Sequence, residues 1–144
     1  MLSRDYIGRL TEAIAKSLAA LAGLKEKGKF EEGIEVIKQN SKSFLKLDLD
    51  ELAAIPADQI ITVLKEERNF SDEEVSAAAY YFAHLGDFQN SFGGCNSQAL
   101  ESDQKALVIY RWLQECDRKN FVLDRENQIK ALEERIKKGS IKPL

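Results

Sequence analysis

The chain carries one histidine, His84, within Tyr80-Tyr81-Phe82-Ala83-His84-Leu85, and two cysteines, Cys95 and Cys116. An imidazole that takes the proton from a thiol makes a nucleophile, so a Cys–His pair is the one covalent chemistry these residue types offer. Sequence separation does not decide whether they meet, because such pairs are spatial. The competing reading is a histidine near a helix end, partly solvated, and it is the preferred one. Tyr80, His84, Tyr110 and Trp112 could also line a small-ligand pocket, although aromatics at helical spacing more often fill a core. No Gly-x-Ser-x-Gly elbow occurs. Gly93-Gly94 has no following Lys-Ser/Thr and reads as a helix break rather than a phosphate cradle. The pairs Glu66-Glu67 and Glu73-Glu74 put neighbours about 100° apart on a helix, so they do not converge as an acid–base dyad. A closed zinc site would need carboxylates beside the histidine and cysteines, and no ligand spacing suggests one. No catalytic, cofactor or metal residue is therefore assigned, and the expectation is a noncatalytic protein.

Composition names the elements that would position any site. The chain has 144 residues, 44% hydrophobic and 31% charged, which fits one domain able to bury a core. Two prolines and eight glycines leave room for long helices. No run approaches the ~18 apolar residues that span a bilayer, and the N-terminal residues do not read as a signal peptide. Two cysteines make no disulfide framework, so a reducing cytoplasm is expected.

The spacing predicts about seven helices in antiparallel hairpins and no confident strand; Phe121-Val122-Leu123 is the nearest strand candidate. The first helix follows Ser3, with Leu2 and Ile7 as a hydrophobic staple. It bears one stripe: Ile7, Leu10, Ile14, Leu18, Leu21 and Leu24. Gly28 supplies a left-handed end. The next stripe is Phe30, Ile34, Ile37, Ser41 and Phe44, so residues 1–47 read as a hairpin. Asp48 with Glu51 caps a short helix that stops at Ile55-Pro56, and Pro56 opens the next. Ser71 and Glu74 form a capping box, with Phe70 and Val75 as its staple. Val75, Ala78, Ala79, Phe82 and Leu85 face inward, and the helix ends at Gly86. Residues 48–92 are the acidic middle helices, and 93–97 are an internal loop. Residues 97–139 form a C-terminal hairpin, with Asp124 capping its second helix, Gly139 ending it and 140–144 as a tail.

Charge is uneven. Residues 1–47 balance at +3, residues 48–104 at −10 and residues 105–144 at +4. The acidic middle would attract a basic partner, pack against the chain's own ends, or simply be solvated helix faces. A pI near 5.3 argues against a general role in binding nucleic acid.

Gly28-Lys29-Phe30-Glu31-Glu32-Gly33-Ile34, within residues 17–47, resembles the turn of a tetratricopeptide hairpin. Tyr80 to Phe88, with Gly86-Asp87-Phe88, resembles the first helix and turn of a second repeat. Gly33 stands where the family usually has alanine, and the trailing proline is missing. The whole chain, opening Asp5-Tyr6-Ile7-Gly8-Arg9-Leu10, is also similar to a group of small uncharacterised bacterial helical proteins. These resemblances imply a tetratricopeptide-like short α-solenoid, or an irregular bundle, that binds a protein partner in a helical groove. Side chains on the first helix, such as Arg9 and Lys16, and on the acidic middle helices are the groove candidates, with no motif behind them. The alternatives are a structural homo-oligomer such as a homodimer, and a small-ligand-binding protein.

Overall fold

In the computed structural model, the chain is described over residues 4–93, 97–116 and 123–140, and these residues are all-α with no strand. The helices are α1 (Arg4–Glu26), α2 (Phe30–Leu45), α3 (Leu49–Ala53), α4 (Ile60–Thr62), α5 (Asp72–Gly93), α6 (Ser97–Cys116) and α7 (Leu123–Ser140). The expected Leu2 staple, Cys95, the connection at Phe121-Val122 and the tail after Ser140 lie outside the described residues.

The turn after α1 is built as its glycine requires. Gly28 sits at φ +72°, a conformation that costs other residues. The Lys29 N–H then donates to Leu24 at 2.9 Å and the Gly28 N–H to Lys25 at 3.1 Å, closing the carbonyls that a helix end leaves open. From there α2 runs back along α1: Tyr6 reaches Phe44 and Asn40 reaches Ser17. Both stripes drift from the expected positions. In α1, Leu10 and Leu21 are buried, with Ala13 and Ser17 between them, but Leu18 is 47% exposed. In α2, Ile37 and Ser41 are buried, and Leu45 takes the inward place expected of Phe44, which is 40% exposed. A strict three-and-four spacing drifts around a 3.6-residue turn, so one position per stripe slides out.

Asp48 caps α3 through the N–H groups of Asp50 and Glu51. Pro56 precedes the next turn rather than opening it: extended at ψ 146°, it caps the 3-10 turn Ala57–Gln59 that leads into α4. Past α4 a π turn, Val63–Glu67, ends at Asn69 with φ 55°, and the Phe70 N–H bonds Leu64. The expected capping box then forms in both directions, Ser71 N–H to Glu74 at 3.0 Å and Glu74 N–H to Ser71 Oγ at 3.2 Å. Phe70 and Val75 are both buried.

The second glycine-aromatic-acidic element is not a turn. Helix α5 runs through Gly86-Asp87-Phe88 without a break to Gly93. Glycine inside a helix costs about 1 kcal/mol relative to alanine, and tertiary packing overrides that here. A Cβ on Gly86 would overlap Asp103 Oδ1 and lie 3.3 Å from the Ala99 carbonyl, so the glycine admits α6. At the C-terminal end, α7 includes both Asp124 and Gly139, which were expected to flank it.

α2 packs on α1 and on α5, α6 packs on α5, and α7 packs on α6. The largest fully buried side chains include Tyr81, Phe82 and Phe88 of α5, which makes α5 the central helix.

Candidate functional site

Three contacts pair α1 with α5 in the same direction: Tyr6 with Glu74, Tyr80 with Ile14, and Lys25 with Asp87. Between α1 and α5 on one side and the ends of α6 and α7 on the other lies a cleft of about 800 Å³. Its floor is one face of α5, with Ser76, Ala77, Tyr80 and His84. Leu10, Ile14 and Leu18 of α1 form one wall. Tyr110, Leu113 and Cys116 of α6, with Arg125 and Gln128 of α7, form the other, and Asp72 and Glu73 stand at the α5 N-terminus.

Tyr80, His84 and Tyr110 thus line one cavity, as the pocket reading expected. Trp112 does not: it lies under the Lys65 ammonium, 5.6 Å from the ring centroid. Arg9 and Lys16 are not lining residues either, and Lys16 pairs with Glu12 on the surface. His84 and Cys116 share the cleft, yet among the described residues no hydrogen bond joins them. His84 instead lies against Tyr80, ring centroids 4.3 Å apart and the planes tilted by 47°. Burial lowers the His84 pKa below the usual imidazole range, Asp87 raises it, and Arg135 and Lys25 lower it again. Burial in this site therefore disfavours the charged imidazole. Among the described residues no cluster of three histidine, cysteine or carboxylate side chains could hold a metal. No described helix is long and apolar enough to cross a membrane.

A part-buried charge network, centred on the buried Asp103, bounds the His84 end. Arg135 of α7 holds Asp103 of α6 through both carboxylate oxygens, at 2.6 and 3.3 Å, and donates to the Ala83 carbonyl of α5 at 3.0 Å. Asp87 lies 3.6 Å from Arg135 and 2.8 Å from Lys25 of α1. Burial raises the Asp103 pKa even with the guanidinium against it. The sequence reading missed this network, and Asp103 within a buried helix face was its one available signal. It also missed Lys105, 2% exposed, whose ammonium reaches the Ala53 carbonyl at 3.4 Å and so caps the end of α3.

Four of the twelve carboxylates in residues 48–104 pair with cations from the chain's own ends. Asp48, Asp50 and Asp87 pair with Lys42, Lys38 and Lys25, and Asp103 pairs with Arg135. The chain's own basic ends thus supply part of the counter-charge.

Beside the floor, Tyr81 is 1% exposed, and its hydroxyl meets no hydrogen-bond partner among the described residues. An unsatisfied buried hydroxyl costs about 1–3 kcal/mol. Tyr81→Phe is therefore expected to stabilise the protein by about 1 kcal/mol in urea unfolding. Burial also pushes the Tyr81 pKa up to about 12. A phenol with a raised folded pKa keeps its full contribution below its ordinary value of about 10 and loses it as pH rises toward 12. The phenylalanine variant is expected to lose less stability across that window.

No family model, curated protein or solved structure matches the chain.

Proposed function

We propose that the chain is a noncatalytic interaction module that holds a segment of a protein partner in the α1/α5/α6/α7 cleft. The observation that carries the reading is the cleft itself: an open trough walled by the Leu10–Ile14–Leu18 row, with Leu18 47% exposed at its edge. Peptide recognition reuses such rows as helix-in-groove sites. The tetratricopeptide likeness and a cytoplasmic setting belong to the same proposal. The first is supported by the turn at Gly28 and by α1 and α5 running the same way beside the cleft. The second is supported by the absence of a disulfide framework in the sequence.

The test is affinity capture with three forms of the protein. Wild type and Phe92→Glu, altered at a side chain 57% exposed and outside the cleft lining, are expected to retain the same partner. Leu18→Glu is expected to lose it. A partner kept by Leu18→Glu, or none at all, overturns the reading. The second reading, a small ligand on Tyr80, His84 and Tyr110, is favoured by their convergence on one cavity. Native mass spectrometry of the same samples separates the two, because a bound small molecule adds a fixed mass to wild type.

A further inference from the structure

We infer that the Lys105 side chain is a nucleophilic amine, opening on a small cavity between α2, α3, α5 and α6, that holds a short neutral aldehyde as a covalent imine. The cavity shares no lining residue with the α1/α5/α6/α7 cleft, so its chemistry does not depend on what that cleft binds.

Lys105 is 2% exposed, yet its Nζ makes one hydrogen bond, to the Ala53 carbonyl at 3.4 Å, and no carboxylate among the described residues forms an ion pair with it. An ammonium has three N–H groups to satisfy, and a buried charge without a close counter-ion is costly. Desolvation accordingly lowers the Lys105 pKa, with Glu101 opposing it from one helical turn away. A lysine that sheds its proton on burial becomes a nucleophile. Lys105 and Ala53 both line a cavity of about 70 Å³, which is room for about five waters. The exposed residues Asp50, Gln98 and Glu101 bring that cavity to the surface.

The lining selects the ligand. Lys38 and Lys105 are matched by Asp50 and Glu101, and Lys38 holds Asp50 at 3.0 Å. The charges cancel, so the cavity draws in neither an anion nor a cation. Leu49, Phe82 and Leu85 offer apolar surface to an alkyl chain. Ser102 donates to Gln89 Oε1 at 2.9 Å, which leaves the Gln89 amide N–H groups to donate to a ligand oxygen. A short aldehyde has that alkyl chain, that oxygen and no charge. The Lys105 lone pair forms a C–N bond at the carbonyl carbon, and the C=O electron pair moves onto oxygen. A proton passes from nitrogen to that oxygen, giving a carbinolamine. The hydroxyl then takes a proton from solvent and leaves as water while the nitrogen lone pair closes C=N. The iminium so formed carries one positive charge, as the ammonium did, and Glu101 lies on the same helix face.

The test treats the full wild-type chain at pH 7 with propanal and cyanoborohydride, which delivers hydride to the iminium carbon and leaves a stable secondary amine. Proteolysis and mass spectrometry then locate the modified lysines. Lys105 is expected to react at least about fivefold faster than the exposed Lys42 and Lys46, because each unit by which a lysine pKa falls raises its neutral fraction about tenfold. The preference is expected to vanish in denaturing urea, where no cavity exists. It is also expected to vanish with a naphthaldehyde, which is too large for the cavity. Lys105 reacting no faster than Lys42 and Lys46 in the folded chain overturns the inference. So does a preference that persists in urea, since it would belong to the local sequence. A preference that naphthaldehyde shares overturns it too, since opening of the fold, and not the cavity, would then expose the amine.

Discussion

Arg135→Met is expected to lower the unfolding free energy by about 3 kcal/mol at neutral pH, the low end for breaking a buried ion pair. The low end applies because the Arg135 side chain is 26% exposed while that of Asp103 is 5% exposed. Losing the guanidinium leaves a buried carboxylate facing the backbone of α5, with Gly86 too close to admit more than hydrogen at its Cα. Asp87 fares better, since Lys25 still holds it at 2.8 Å. The converse change, Asp103→Ala, is expected to cost less, because Arg135 keeps Asp87 and its own solvent access. Adding Asp103→Ala to Arg135→Met removes the orphaned charge, so the double variant is expected to be more stable than Arg135→Met alone. The pH dependence carries the same sign. The Asp103 carboxyl has a folded pKa raised above its unfolded value of about 3.9, and removal of Arg135 raises it further. A raised carboxyl favours the folded state in its protonated form, so the deficit of Arg135→Met is expected to shrink as pH falls toward 4. Urea unfolding of the four proteins at two pH values checks this. A deficit under about 1 kcal/mol, or one that Asp103→Ala does not relieve, would show that the network is not holding α5, α6 and α7 together.

The local signals were the legible ones. The cap at Ser71-Glu74 and the left-handed Gly28 each depend on residues a few positions apart, and each stands where its sequence placed it. The stripes were legible as helices but not residue by residue, as Leu18 and Phe44 show. Gly86 defeated the reading because its role is set by Asp103, a residue on another helix. Chain-local logic sees a helix breaker there, whereas packing sees the one residue that lets a carboxylate touch the backbone. The cleft was half legible. Tyr80 and His84 are one helical turn apart and had to share a face, and Tyr110 joins them from α6. Trp112, two residues beyond Tyr110, was grouped with them, but two residues on a helix turn a side chain about 200° away. The Arg135–Asp103 pair spans α6 and α7 and left no trace in spacing.

The two glycine-aromatic-acidic elements meet each other, and that contact carries the second large effect. Phe88, from the element inside α5, is 2% exposed and lies edge-on to Phe30, ring centroids 6.1 Å apart at 73°. Its ring covers Gly33, where an added Cβ would overlap it. Phe30 and Gly33 thus form the seat, and Phe88 the plug, that hold α2 against α5. Phe88→Ala is expected to cost about 3–5 kcal/mol, the range for emptying a buried aromatic site. Gly33→Ala is the informative partner. Alone, it gains about 1 kcal/mol of helix propensity but forces the buried ring aside, and overpacking of that kind costs about 1–3 kcal/mol, so a net loss is expected. In the Phe88→Ala background the ring is gone, the propensity gain survives and the new methyl enters the vacated space, so the same substitution is expected to stabilise. The sign reversal in a double-mutant cycle, read by urea unfolding, is the decisive result. If Gly33→Ala has the same sign in both backgrounds, the ring is not what requires glycine at that position.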